Sequence, residues 1–321
     1  MRRCSILTLV AMVLVLGLPA AAGAVTPDPV RIKDPAITES SGLLARDGEF
    51  YTVNDSGGRG VVFVIDARTG RTTRTIDFSD GPRDVEALAF GRADDELWVG
   101  DIGDNDRVRP GISVTRISTE TEEQTRYRLG YPTEAVDAEA LLVNPTNGRL
   151  YVASKEILGG TLYAAPAQLR RRAVNRLTPV ADVGSVVTDG SFFPDGRHVI
   201  LRGYLRATVY AFPSMTSVGT FSLPREKQGE GIAVSDSGRV FVSSEGKDQP
   251  ILPVTLPARV RAALAGRTPD KGLRGTVTKA RDQALDETSW LPGGLWTTGG
   301  LVLVVLLGAG WLVARRRRAG S

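Results

Sequence analysis

Apolar and polar positions alternate in short bursts along residues 84–117, and the chain repeats the arrangement. Asp84-Val85-Glu86-Ala87-Leu88-Ala89-Phe90 is followed by a polar turn at residues 92–96, then by Leu97-Trp98-Val99-Gly100-Asp101. After a loop over residues 102–111 comes Ile112-Ser113-Val114-Thr115-Arg116-Ile117, whose β-branched side chains and period of two predict a strand. Four further stretches share this order. Glu39-Ser40-Ser41-Gly42-Leu43 precedes Phe50-Tyr51-Thr52-Val53-Asn54-Asp55, and Asp137-Ala138-Glu139-Ala140-Leu141 precedes Leu150-Tyr151-Val152-Ala153-Ser154-Lys155-Glu156. Thr188-Asp189-Gly190-Ser191 leads to His198-Val199-Ile200-Leu201-Arg202, and Gln228-Gly229-Glu230-Gly231-Ile232 leads to Val240-Phe241-Val242-Ser243-Ser244-Glu245.

With Gly42, Ala87, Ala140, Gly190 and Gly231 as equivalent positions, the intervals are 45, 53, 50 and 41 residues. Propeller blades of four strands take about 40 to 50 residues each. The pattern therefore predicts an all-β fold, a single β-propeller of five blades with six as the alternative. An acidic residue beside a small one before each apolar run argues against a β-sandwich of unrelated hairpins. Outer strands are expected near residues 72–78, 125–129 and 217–223. Val30-Arg31-Ile32-Lys33 has no partner in its own repeat, and the last repeat lacks an outer strand after residues 251–254, so the N-terminal strand is expected to seal the ring.

The two ends follow a different pattern. Residues 1–24 open with Arg2-Arg3, carry an uncharged apolar run over residues 6–18 and close on Ala20-Ala21-Ala22-Gly23-Ala24, as a signal peptide cut after Ala24 does. Residues 295–314 run without a charge into Arg315-Arg316-Arg317-Arg318, with Trp296 and Trp311 near the two ends, which predicts one C-terminal transmembrane helix with its arginine side in the cytoplasm. The expected organisation is a signal peptide (1–24), a propeller ectodomain (25–257), a juxtamembrane tether (258–294), a transmembrane helix (295–314) and a basic cytoplasmic tail (315–321). Residues 258–265 read as a short basic helix at the head of that tether. The protein is then single-pass type I in the cell membrane, with its ectodomain extracytoplasmic.

Charge changes the picture once the ends are set aside. The net charge of +4 arises because six of the 40 basic residues are Arg2, Arg3 and Arg315 to Arg318, which leaves 34 basic against 36 acidic residues elsewhere. The excess belongs to topology and gives no reason to expect nucleic acid. The one cysteine, Cys4, falls in the signal peptide, so no disulfide is expected. His198 is the only histidine and lies in an apolar run, and no Gly-x-Ser-x-Gly elbow or phosphate-binding glycine loop is present. A Ser-His-Asp hydrolase and a zinc or copper centre are disfavoured on that inventory.

In a blade, the innermost strand starts at the face where the second strand ends. Glu39, Glu86, Glu139, Asp189 and Glu230 stand at inner-strand starts, and Asp55, Asp101, Glu156, Arg202 and Glu245 at second-strand ends, so carboxylates are expected to crowd one mouth of the channel. Three arrangements relieve such repulsion. Calcium, which takes six to eight oxygens, could sit among them; bases such as Lys155, Arg202, Arg83 or Lys247 could neutralise them; or the acids could turn away and cap backbone amides. Residues 101–106, Asp-Ile-Gly-Asp-Asn-Asp, are the densest oxygen cluster but lack EF-hand spacing.

At these motifs the chain resembles the secreted bacterial propellers called phytase-like, or esterase-like of the phytase family. Glu39-Ser40-Ser41-Gly42-Leu43, Asp84-Val85-Glu86-Ala87, Gly100-Asp101-Ile102-Gly103-Asp104-Asn105, Asp137-Ala138-Glu139-Ala140 and Gly229-Glu230-Gly231 carry the resemblance, over about residues 37–256. It implies five or six blades and calcium at an acidic mouth, mapped here onto Glu86, Asp101, Glu139, Glu156 and Glu230. Glu39, Asp55, Lys155, Arg202 and Glu245 are the expected ligand-binding set. No paired lysine and arginine cluster for several phosphates accompanies them. The expected function is a membrane-anchored binding or scaffold module with an unidentified small-molecule or protein ligand; the alternative is a calcium-dependent phosphoesterase.

Overall fold

A computed structural model describes residues 28–55, 58–78 and 81–266. The short strand β1 (Val30–Arg31) comes first. The first blade is β2 (Ser40–Arg46), β3 (Glu49–Asn54), β4 (Val61–Asp66) and β5 (Thr72–Asp77). The second is β6 (Val85–Phe90), β7 (Glu96–Asp101), β8 (Ile112–Ser118) and β9 (Gln124–Gly130). The third holds β10 (Ala138–Val143), β11 (Leu150–Ser154), β12 (Gly160–Ala164) and, after the excursion β13 (Val174–Arg176), β14 (Thr178–Val183). The fourth is β15 (Asp189–Phe192), β16 (His198–Arg202), β17 (Arg206–Ala211) and β18 (Thr216–Ser222). The fifth is β19 (Gly229–Val234), β20 (Val240–Ser244) and β21 (Pro250–Val254), completed by β1, whose Val30 pairs with Ile251.

The fold is therefore an all-β propeller of five blades, closed by the N-terminal strand as the alternation predicts. Each blade is antiparallel, and the five innermost strands β2, β6, β10, β15 and β19 neighbour one another in a ring. Successive side chains of a strand point to opposite faces, so each blade packs one set of residues on each neighbour. In β7, Leu97 and Val99 join a cluster with the first blade, while Trp98 joins one with the third. The core is accordingly five clusters, one per blade interface, rather than a central mass.

The small residue of each repeat has a physical cause: inner strands crowd at the axis. Gly42, at φ 62°, lies so close to the second blade that a Cβ there would stand 2.9 Å from the Leu88 amide nitrogen. One element departs from the repeat. β13 leaves the third blade and pairs in parallel with β9 of the second, Asn175 opposite Leu129.

A helix, α1 (Ala258–Leu264), follows the last strand. Residues expected at the head of the tether thus pack on the ring, with Val260 buried beside Val218 and Phe221 of β18. The expected signal peptide, the remainder of the expected tether, the expected transmembrane helix and the expected tail lie outside the described residues. Among the described residues no helix is long and apolar enough to cross a membrane.

Candidate functional site at the channel mouth

Three inner strands carry a bulge at the same place. Val85 pairs with Asp101 and Ala87 with Gly100; Ala138 with Ser154 and Ala140 with Ala153; Gly229 with Ser244 and Gly231 with Ser243. The extra residues are Glu86, Glu139 and Glu230. A bulge turns its extra residue out of the pleat, and here it brings the three glutamates together, all buried. Burial drives Glu86 well above the usual carboxylate range, and the nearby Glu139, Asp55 and Asp84 add to the rise. Burial likewise raises Glu139, opposed by Lys155, and raises Glu230, also opposed by Lys155. Lys155 pairs with Glu139 Oε1, and its ammonium lies 5.6 Å from the centre of the Tyr204 ring. Gln228 Nε2 donates to Glu230 Oε1 at 3.0 Å. Glu139 Oε2 is buried with no hydrogen-bond partner among the described residues.

On the side of the first and second blades, Asp55, Asp84 and Glu86 each place one carboxylate oxygen within 4.8 Å of the others. Burial first, then the Asp55 charge and hydrogen bond, push Asp84 up to about 7. Ser41 Oγ donates to Glu86 Oε2 at 3.2 Å and to the Glu86 carbonyl at 2.8 Å. Gly103 closes against the pair: a Cβ there would stand 2.6 Å from both Asp84 Oδ2 and Glu86 Oε1, so only glycine leaves the carboxylates room.

The remaining expected residues fall into other arrangements. Asp101 is held by Arg109 at 2.8 Å and Arg126 at 3.3 Å, and accepts the Asp84 amide at 3.1 Å. Asp104 accepts the amides of Val108 and Arg109 and caps its own loop. Arg202 is fully enclosed, donating to Glu226 at 2.9 Å and to the Gly231 carbonyl at 3.0 Å, which ties the fourth blade to the fifth. Asp189, whose strand has no bulge, accepts the amides of Ile232 at 2.7 Å, Gly190 at 2.7 Å and Leu43 at 3.3 Å. It spans from the fourth blade to the fifth and first, and burial raises it despite those donors. Capping, one of the arrangements open from sequence, thus describes Asp189, and neutralisation by bases describes Asp101 and Glu139. Glu39 precedes β2 and is half-buried; Glu156 and Glu245 lie beyond the ends of β11 and β20. Ser154 Oγ donates to Glu156 Oε1 at 3.1 Å.

Asp84, Asp137, Tyr204, Glu226 and Gln228 stand beside these residues and lie outside the expected ligand-binding and metal sets. Asp84 had a signal in the sequence, two residues before Glu86, where one carboxylate implied a second. Tyr204 had none, standing in a three-residue loop without a motif.

The strand topology defines a five-bladed β-propeller. No family model matches the chain, and no curated protein matches it. Among solved structures it is similar to the crystal structure of the Myceliophteria thermophila Cps50 (Swd1) beta-propeller domain at 12% identity and a TM-score of 0.39, over 67% of this chain and 63% of that one. The chain thus spans less than two thirds of that domain's length, and the fold stands on the strand topology alone.

Proposed function

We propose that the protein is a membrane-tethered, extracytoplasmic binding module whose channel mouth holds calcium through Asp55, Asp84 and Glu86. A propeller is consistent with a binding or scaffold role. The observation that carries the cation is that the three carboxylates each place one oxygen within 4.8 Å of the others, where a hard cation exchanges repulsion for ligation. The orphaned oxygen of Glu139 adds a further acceptor nearby. The tether is supported by the sequence, through residues 295–314 and the arginines that follow.

Binding is preferred to phosphoester hydrolysis because four bases in and beside the mouth are already engaged. Lys155 pairs with Glu139, Arg109 and Arg126 with Asp101, and Arg202 with Glu226. A phosphate held by any of these four would have to break an existing pair. Calorimetric titration of the full chain should show saturable calcium binding, lost in Asp84→Asn combined with Glu86→Gln. The same protein, screened against phosphate esters in calcium and in chelator, should hydrolyse none; calcium-dependent turnover would replace the binding reading with the enzymatic one.

A further inference from the structure

The connection from third to fourth strand takes residues 67–71, 119–123 and 212–215 in the first, second and fourth blades, but residues 165–177 in the third. The longer connection contains Arg170-Arg171-Arg172, β13 and with it Arg176, so the departure from the repeat is also where arginine collects. Its arginine turn is fastened down. Asn175 Nδ2 donates to the carbonyls of Arg128 at 3.0 Å and Arg170 at 3.1 Å, while Asn175 Oδ1 accepts the Arg170 amide at 2.8 Å. One buried side chain thus holds the turn against β9.

Register decides what faces outward. Asn175 pairs with Leu129 and both are buried, so their neighbours Val174, Arg176 and Arg128 share the opposite, exposed face. Arg128 and Arg176 donate to carbonyls, those of Arg172 and Tyr131, each at 3.5 Å, which leaves their charge unanswered. Among the described residues, Arg128, Arg170, Arg171, Arg172 and Arg176 have no carboxylate within 4.0 Å, Glu134 and Asp182 nearby in the chain included. All five are exposed, and Val174 and Val180 beside them are 52% and 48% exposed.

We infer that this patch is the face by which the propeller docks on an anionic lipid surface. Charge complementarity selects an anion, and each basic residue held near a negative bilayer strengthens binding about fivefold. Guanidinium groups also match phosphate oxygens in geometry. The valines select the bilayer among anions: they would enter the apolar boundary while the guanidinium groups stay at the headgroups. A nucleic acid would leave the valines bare, and no aromatic ring is among the exposed side chains of the patch for its bases to stack on. The inference rests on the tether reading, which keeps a bilayer within reach of the propeller, but not on calcium.

The full chain should be reconstituted into vesicles of phosphatidylcholine alone or mixed with phosphatidylglycerol, carrying Cys4→Ser and a polarity-sensitive dye on Thr178→Cys, an exposed position between the two valines. Resistance to alkaline carbonate extraction reports the transmembrane helix, and dye emission reports the patch. The expected result is carbonate resistance, with emission shifted to the blue only where phosphatidylglycerol is present and reversed by about 1 M salt. The ratio of docked to free patch should fall at least about tenfold in Arg170→Gln, Arg171→Gln and Arg172→Gln combined. The hydrogen bonds of Arg170 and Arg172 run through their backbones, so this variant should melt with the wild type. Arg170→Lys, Arg171→Lys and Arg172→Lys together should restore docking, and this variant and the salt reversal carry the test if the glutamine variant melts lower. Carbonate-resistant protein whose emission ignores phosphatidylglycerol overturns the docking inference and leaves the tether. Extractable protein whose emission still shifts overturns the tether and leaves the docking; protein that shows neither overturns both. A shift that persists in a folded glutamine variant, or tighter binding of the patch to a single-stranded oligonucleotide, would also overturn the lipid assignment.

Discussion

At the scale of single residues, the mouth is governed by how few donors answer many carboxylates. Asp84 carries a readable consequence. Its ordinary value is 3.8 and its folded value is about 7, raised by burial and by Asp55. A carboxyl raised on folding holds its proton longer in the folded state, so stability falls as pH climbs from about 4 to about 7 and then levels. Glu86, Glu139, Glu230 and Asp137 are raised as well and act in the same direction. Melting followed by circular dichroism in chelator should therefore decline over that window, and Asp84→Asn should flatten the decline. Calcium, by favouring the ionised form, should oppose it most at the upper end. A wild type whose melting rises from pH 5 to 7 in chelator would contradict the half-buried, crowded state of Asp84. The acid repeat was legible in sequence, but the division of labour was not: Asp189 and Glu86 occupy the same place in the motif, and only the bulge separates a backbone cap from a channel carboxylate.

At the scale of elements, alternation was a reliable guide where a strand packs on both sides. The outer strands expected near residues 72–78, 125–129 and 217–223 are β5, β9 and β18, and the unpartnered Val30-Arg31 is the strand that closes the fifth blade. Register was less legible, because a bulge is one extra residue in pairing and leaves the composition of the strand unchanged. Glu156 and Glu245, counted from the sequence to the second-strand ends, fall beyond β11 and β20. β13 escaped notice for a related reason: its three residues follow Arg170-Arg171-Arg172 and find their partner in another blade. The closure offers a test. Ile32, just after β1, is 1% exposed and packs with Phe50 and Phe241 across the seam of the first and fifth blades. Ile32→Ala should cost about 2–5 kcal/mol in denaturant unfolding. A cost near zero would mean that the seam is not closed as described.

At the scale of the whole molecule, five blades leave a channel so narrow that one carboxylate, Asp189, reaches the amides of two other blades. Closure and acidity are therefore coupled: the ring that buries five interfaces also forces the bulge glutamates toward one axis. Proton uptake, the Lys155 pair and the proposed calcium are three responses to the same crowding, and calcium is the one that links binding to stability. A ligand that binds only the folded state at 100 times its dissociation constant adds about 2.7 kcal/mol. The measurement that tests this most directly is thermal melting of the full chain at pH 8, in calcium and in chelator, beside Asp84→Asn combined with Glu86→Gln. The account predicts a higher melting point in calcium for the wild type and no difference for the variant; identical wild-type melting in calcium and in chelator would contradict it.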